Sequence, residues 1–391
     1  MSEVSDLPPH MKLFARLRDE VKSDYRPPLP ETHEIPVAFY LDEKWLARER
    51  SELFTDNPII IGHEKMLARA GDHFTHDHLG KPLLVVRGHD DKVRVFYNVC
   101  RHRGMRLAQN TEVERKPSFV CPYHHWAYDL DGSLKNVPLP ETFDGIDLSC
   151  RGLKEVPCVI RHGFIWAQLD ETKPLNLDNH LGEINADLKA FETGEQHVFR
   201  QTTTTKKANW KLIVEAFQDG YHVTRLHQKS VGPLFMDARA SMDRVGVNLR
   251  AAVARAFFPE ILDAPPEQWD DRNHVSFAHF IFPNTIIVFH PDYISHMGLF
   301  PQGVGETVVV HTCLIPKMPE SEKEHGHWER AFDIIENGVF QAEDFFVCEN
   351  AQIGMASGAN NTLLLGAQEY GIALFHDILR DAMGPFAPPP S

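Results

Sequence analysis

The chain has 391 residues, of which 40 are basic and 55 acidic, for a formal charge of −15; 42% of residues are hydrophobic and 24% charged. This is the balance of a globular chain long enough for two domains, and it excludes a disordered one. The acidic excess argues against nucleic acid or an anionic membrane as the main partner, because both are held by clustered Lys and Arg.

The first residues, MSEVSDLPPHMK, lack the basic and apolar regions of a secretory leader. No run of about 18 apolar residues is present to span a bilayer, so a cytoplasmic location is expected. Six cysteines are too few for a disulfide framework in a chain of this length. The 23 histidines direct attention to metal chemistry.

In chain order, residues 1–40 read as an arm: an amphipathic segment at Met11–Val21, then the proline-rich RPPLPETHEIP, which cannot be regular helix. Residues 42–54 read as a helix with Trp45, Leu46 and Leu53 turned inward. From Asn57 to Leu169, short β runs alternate with turn signals such as Gly80 and Asp131-Gly132, the pattern of a small antiparallel β domain. Residues 171–183 read as a surface connection.

A second part opens with the strand-like VFRQTTTT (198–205) and a helix capped by Asn209. Strands are expected at Val275–Phe282, Thr285–Phe289, His296–Phe300 and Thr307–Ile315. Helices are expected at His327–Ile353 and Glu369–Met383, an excursion loop at 259–273, and a frayed APPPS tail. Strands followed by a long helix define an α+β class. The expected division is an arm at 1–55 packing on the C-terminal domain, a β domain at 56–170 and an α+β domain at 171–391.

Two clusters of residues carry chemistry. The first is Cys100-Arg-His102-Arg-Gly104 with Cys121-Pro-Tyr-His124-His125-Trp126. Each Cys-plus-His pair sits on a turn leaving a strand, so the two turns can converge on one site. Two thiolates and two imidazoles suit a structural zinc or an iron–sulfur cluster. Cys-x-His followed by Cys-x-x-His, with Arg103-Gly104 and Trp126 alongside, resembles the Rieske signature. The resemblance implies a [2Fe–2S] centre with Cys100 and Cys121 on one iron and His102 and His124 on the other. The chain departs from it at His125, where the family usually has glycine. Cys150, Cys158, Cys313 and Cys348 lack ligand spacing and read as buried thiols.

The second cluster is Glu215-x3-Asp219-x2-His222-x4-His227. At about 100° per residue, Glu215, Asp219 and His222 share one helix face and His227 falls well off it. A break near Gly220–Thr224 is therefore expected, bringing the two histidines to one point. Two imidazoles and one carboxylate leave positions open on an iron for dioxygen and substrate. The carboxylate could be Asp219, Glu215, or a distant one such as Glu343 or Asp344.

Together the two motifs resemble the large (alpha) oxygenase subunit of Rieske non-haem iron oxygenases, the aromatic-ring-hydroxylating family, over nearly the whole chain. The resemblance implies a Rieske domain placed before a catalytic domain whose antiparallel sheet is covered by helices in a helix-grip arrangement. It implies one [2Fe–2S] cluster and one mononuclear Fe(II) per subunit, the latter held by His222, His227 and Asp344. Asp219 then becomes an inter-subunit electron bridge that hydrogen-bonds His124 of the partner subunit, and Glu215 plays a supporting role.

The same resemblance implies a homotrimer, or an assembly with a small beta subunit. No reductase motif is present, so a separate ferredoxin or NAD(P)H-dependent flavin reductase is expected to feed electrons. The expected substrate, taken with O2, is a small aromatic or apolar compound. The alternative is a monooxygenase or demethylase acting on a methylated amine or quaternary ammonium compound held by aromatic rings. Pocket walls are expected from Phe217, Val223, the strands Phe277–Phe289 and His296–Phe300 with Phe282, Ile286 and Phe289 prominent, and the 259–273 loop.

Overall fold

A computed structural model describes residues 7–386. The expected frayed tail, 387–391, lies outside the described residues. The chain forms two compact units, Phe54–Leu175 and a second made of Met1–Leu53 with Asn176–Ser391. Among the described residues no helix is long and apolar enough to cross a membrane.

The unit Phe54–Leu175 is built from short antiparallel strands. A five-stranded sheet runs in the order Glu155–Val156, Val93–Tyr97, Leu83–Arg87, Asp72–His76, Glu114–Arg115. Three-stranded sheets form from Cys158–Arg161, Phe164–Ala167 and Ile59–His63, and from Phe119–Val120, Ala127–Tyr128 and Leu134–Asn136. Leu84, Val86, Phe96, Phe119 and Tyr128 fill one core, and Cys100 and Cys121 belong to it.

The larger unit is organised on a seven-stranded antiparallel sheet. Its order is His197–Lys206, Glu306–Ile315, Ile294–Gly303, Thr285–Phe289, Val275–Ile281, Asn248–Arg255, Phe235–Val245. A helical run crosses Glu322–Asp333, Ile334–Asp344 and Phe345–Ala356, and its middle stretch is widened to i→i+5 turns. The helix Tyr370–Met383 covers part of the sheet, where Phe280 meets Phe375 edge-on at 5.2 Å. This is the expected α+β class with a helix-covered antiparallel sheet.

The N-terminal arm is bound to this unit by specific contacts. Leu13, Phe14 and Leu17 of the helix Pro9–Lys22 are buried, and Arg16 donates to Ser241 Oγ and to the Met242 carbonyl, both at 2.8 Å. Further on, Glu49 is fully buried and accepts from Trp210 Nε1 (2.8 Å) and Lys211 Nζ (2.5 Å). A buried charge is tolerable only when paired in this way, so the arm fixes the start of the helix Trp210–Ala216 that leads into the second histidine motif.

Three expectations are corrected. The 171–183 stretch is not a plain surface connection: Asn176 caps a short helix, Leu177–Leu181, that buries both leucines, and Ile184–Ala190 follows. The strands Phe235–Val245 and Asn248–Arg255 were not expected, because Arg250 interrupts the apolar pattern. It is buried and paired with Asp187 (2.9 Å) and Asp243 (3.1 Å). Cys150 is exposed on a polar loop and Cys158 is half-buried, whereas Cys313 and Cys348 are buried.

Candidate metal centres and the substrate cavity

The two cluster loops are near copies of one turn. In each, the cysteine N–H donates to the carbonyl five residues on, Cys100 to Met105 and Cys121 to Trp126, both at 2.8 Å. The residue four positions on donates back to the cysteine carbonyl at 3.0 Å, from Gly104 and from His125. That fourth residue must take a left-handed conformation, with φ of 78° at Gly104 and 56° at His125. Glycine adopts it freely, while a side chain costs about 1–2 kcal/mol. This is the physical content of the departure at His125, whose side chain points to solvent.

The twin turns bring the expected donors together. The rings of His102 and His124 lie 4.6 Å apart, and Cys100 and Cys121 are buried within hydrogen-bonding reach of each other. Burial pushes the Cys121 thiol up, against the N–H groups of Tyr123 and His124 that point at its sulfur. Tyr128 OH contacts Cys100 Sγ at 3.3 Å and accepts from the Arg101 N–H at 2.9 Å. His102 Nδ1 is buried with no hydrogen-bond partner. Two adjacent buried thiols and an orphaned imidazole nitrogen fit a cluster that would deprotonate the sulfurs and occupy the nitrogen.

In the larger unit, Asn209 Oδ1 caps the helix Trp210–Ala216, accepting from the Lys211 N–H at 3.0 Å. The helix ends at Ala216, earlier than the expected break, and a turn carries Asp219 before the single-turn helix Val223–Leu226. Asp219 and His222 are therefore not on a shared helix face with Glu215. Gly220 allows this turn to press against the sheet, since a Cβ there would sit 2.8 Å from the Ala240 Cβ.

His222 and His227 flank the short helix with rings 5.2 Å apart. Asp344, at the end of the widened helical stretch, meets both: its Oδ1 is 3.6 Å from His222 Nε2 and 3.3 Å from His227 Nε2. One ligand atom from each of the three lies within 4.8 Å of the other two. Glu343 engages the far side of His227, its Oε2 standing 2.8 Å from Nδ1 and accepting from Ser230 Oγ at 2.6 Å. Asp219 Oδ2 stands 3.3 Å from His222 Nδ1, and its Oδ1 accepts from the Tyr221 N–H.

Although burial opposes it, the carboxylates of Asp344 and Glu343 raise the His227 imidazole pKa. The excess negative charge that draws this proton fits a divalent cation equally well. Two imidazoles and a buried carboxylate are a donor set suited to Fe(II) with open positions. Glu215 is buried and accepts from Tyr40 OH (2.7 Å), with His376 Nε2 at 2.9 Å. It lines a small cavity of about 150 Å³ together with Asp219, His222 and Asp344.

A larger cavity of about 310 Å³ opens from the histidine pair. Its floor is one face of three neighbouring strands, with Val253 and Arg255, Ser276 and Ala278, and Val288, together with His290 just past the end of the last. The two-residue period of a strand puts each pair on the same side. Phe217, Phe235, Tyr293 and Phe340 supply aromatic walls, Phe217 meeting Phe340 edge-on at 5.4 Å.

Phe217, Val223 and, from the stretch Phe277–Phe289, Phe277, Ala278 and Val288 line it as expected, but Phe282, Ile286, Phe289, the strand His296–Phe300 and the 259–273 loop do not. Phe289 stacks on Phe191 at 4.0 Å, and Trp269 of the loop stacks on Phe14 of the arm at 5.1 Å. Sequence reasoning missed Glu343 as a partner of His227, as well as Phe235, Arg255 and Tyr293. Phe235 and Arg255 lie on strands whose facing becomes usable only once strand pairing is known, while Glu343 lies on the widened helical stretch and Tyr293 just ahead of the strand Ile294–Gly303.

A β unit with a two-cysteine, two-histidine site, joined to an α+β unit with a two-histidine, one-carboxylate site, defines an iron-dependent oxygenase class. Comparison with known proteins agrees. Residues 57–157 match the Rieske [2Fe-2S] domain, and residues 193–385 match the ring hydroxylating alpha subunit catalytic domain. The chain belongs to the Rieske oxygenases, as an oxygenase subunit with a [2Fe–2S] cluster and a mononuclear iron.

It is 28% identical to the carnitine monooxygenase oxygenase subunit of Escherichia coli K12, over 89% of this chain and 93% of that protein. It is 33% identical to the glycine betaine monooxygenase oxygenase subunit of Chromohalobacter salexigens, over 52% of this chain and 45% of that protein. A solved quaternary ammonium Rieske monooxygenase shares the fold, with a TM-score of 0.78 at 21% identity over 90% of this chain and 95% of that one. As an oxygenase subunit, the chain works with a separate electron-supplying partner.

Proposed function

We propose that this chain is the oxygenase subunit of a monooxygenase acting on a small quaternary ammonium compound. The observation that carries the reading is the aromatic cavity formed by Phe217, Phe235, Tyr293 and Phe340 beside His222, His227 and Asp344. Aromatic faces attract a quaternary ammonium group without asking it for hydrogen bonds. The relatives named for carnitine and glycine betaine support the same choice over a neutral arene.

In this reading His222, His227 and Asp344 hold the iron, and Cys100, His102, Cys121 and His124 hold the cluster. When bound, the iron activates O2 and the cluster stores the electron it needs. One oxygen atom enters a C–H bond of the substrate and the other leaves as water, with two electrons supplied by the redox partner and two protons taken up from solvent. Glu343 keeps the His227 ring aligned, so that Nε2 faces the ligand position. The apolar walls exclude water from the reacting carbon.

Asp219 links His222 to His124 of the partner subunit, and head-to-tail contact of this kind closes a ring, here a homotrimer. Electrons come from an NAD(P)H-dependent flavin reductase or a ferredoxin. Glu215, anchored by Tyr40 and His376, supports the helix end from which the Asp219 turn departs.

The test is a single turnover of chemically reduced protein under labelled O2, with betaines and neutral arenes offered together. One labelled oxygen in an aldehyde or alcohol derived from the ammonium compound is expected. Two labels on an arene ring would replace this reading with a ring dioxygenase.

A further inference from the structure

The cavity holds one feature that neither an arene nor a simple ammonium ion answers. Arg255 is the only Lys or Arg among the residues lining it. It ends the strand Asn248–Arg255, on the same face as Val253, and its guanidinium lies 5.5 Å from the Phe235 ring. Nη1 donates to Ser276 Oγ at 3.2 Å, while Nε is buried with no hydrogen-bond partner. No carboxylate among the described residues pairs with it within 4.0 Å.

The Arg250 Nε is also buried with no hydrogen-bond partner, but unlike Arg255 the other arginines nearby have charge or carbonyl partners for their guanidinium ends. Arg250 is paired with Asp187 and Asp243, and Arg272 donates to the carbonyls of His290 (2.7 Å) and Tyr293 (3.1 Å). Burial lowers the Arg255 pKa, and only Asp292 and Tyr293 work against it; the acids beside the two histidines take no part. Asp292 is exposed and stands 3.3 Å from His327. Burial holds the Tyr293 phenol neutral. Burial with nearby positive charge pushes His290 down to about 3, so it adds no second cation, and its Nε2 meets Ser295 Oγ at 3.1 Å.

The cavity is therefore polarised. Asp219 and Asp344 stand beside the two histidines, and the under-satisfied Arg255 guanidinium, next to the Phe235 ring, pairs with neither of them. A guanidinium presents Nε–H and Nη–H as a planar fork matched to the two oxygens of a carboxylate. We propose that Arg255, assisted by Ser276, receives an acid group of the substrate, which makes the preferred substrate a zwitterion that turns its methylated nitrogen toward His222, His227 and Asp344. The ammonium half of this statement rests on the proposed function; the acid half rests on Arg255 alone.

The test measures binding to the metal-loaded enzyme by calorimetry, using two matched pairs: glycine betaine with its methyl ester, and benzoate with methyl benzoate. In the unmodified protein the betaine should bind about 10- to 100-fold more tightly than its ester, the range for a hydrogen-bonded charged group. Arg255→Gln should bring the acid to the ester's affinity and leave the ester within about threefold, and Arg255→Lys should restore part of the preference.

Equal affinity for acid and ester in the unmodified protein overturns the role of Arg255. Equal weakening of both by Arg255→Gln also overturns it, since that marks a purely structural residue. Binding of benzoate over its ester in an Arg255-dependent way, with neither betaine compound bound, keeps Arg255 and removes the quaternary ammonium reading. Binding of betaine and ester alike does the reverse.

Discussion

The two candidate metal sites are built in opposite ways. The cluster site comes from two short turns of the same design, each supplying a cysteine and a histidine within four residues and each closed by its own backbone hydrogen bonds. The candidate mononuclear site joins a broken helix at 217–227 to a widened helical stretch more than a hundred residues later, where Asp344 stands. A local site is specified by spacing and survives change elsewhere. A composite site depends on every element that positions its parts, including the arm that fixes Trp210 and Lys211 through Glu49.

The largest effect should come from the local site. Cys100→Ser removes one of two thiols from a self-contained turn and should abolish the cluster's visible absorption, its EPR signal and all turnover. A surviving Rieske signal would sink the assignment of Cys100. Next comes Asp219, which stands beside His222 but is not placed as a ligand. In Asp219→Asn both metals should load and turnover should stop, with the reduced cluster failing to reoxidise when substrate and O2 are added. Loss of iron would make Asp219 a ligand and remove the inter-subunit bridge.

A smaller effect is expected at Glu343, which touches only the far nitrogen of His227. Partners of this kind are worth about 10- to 100-fold in metal affinity, so Glu343→Gln should weaken iron binding by that factor in a chelator competition. Complete loss of iron at any concentration would instead mark Glu343 as the ligand. The smallest effect tests the likeness of the twin turns. His125→Gly relieves a left-handed side chain but frees the unfolded backbone, so melting should shift stability by no more than about 1 kcal/mol and leave the cluster spectrum unchanged. Loss of the cluster would show that His125, not the turn geometry, matters there.

The same contrast governs what could be read from sequence. Cys100, His102, Cys121 and His124 declare themselves because all the information lies in two short windows. His222 and His227 were legible as a pair that needed a helix break, yet the break falls at Phe217, where the turn settles against Ala240, a contact absent from the local pattern. Glu343-Asp344 looks like any exposed acidic pair, and only the family resemblance pointed to Asp344. The cavity walls were least legible. The strand Phe235–Val245 carries Asp237, Arg239, Asp243 and Arg244, and the strand Asn248–Arg255 the buried Arg250; these charges interrupt the alternation, so Phe235 and Arg255 gave no signal. Phe282, Ile286 and Phe289 looked like walls because any fully apolar strand does; which side faces a cavity is decided by helices packed from elsewhere.

The most direct test of a composite iron site is metal analysis of Asp344→Ala beside the unmodified protein, with absorption and EPR spectra taken on the same samples. The variant should lose about one iron in every three while the cluster spectrum stays unchanged, because the two sites share no ligand. Retention of all the iron would contradict the assignment of Asp344.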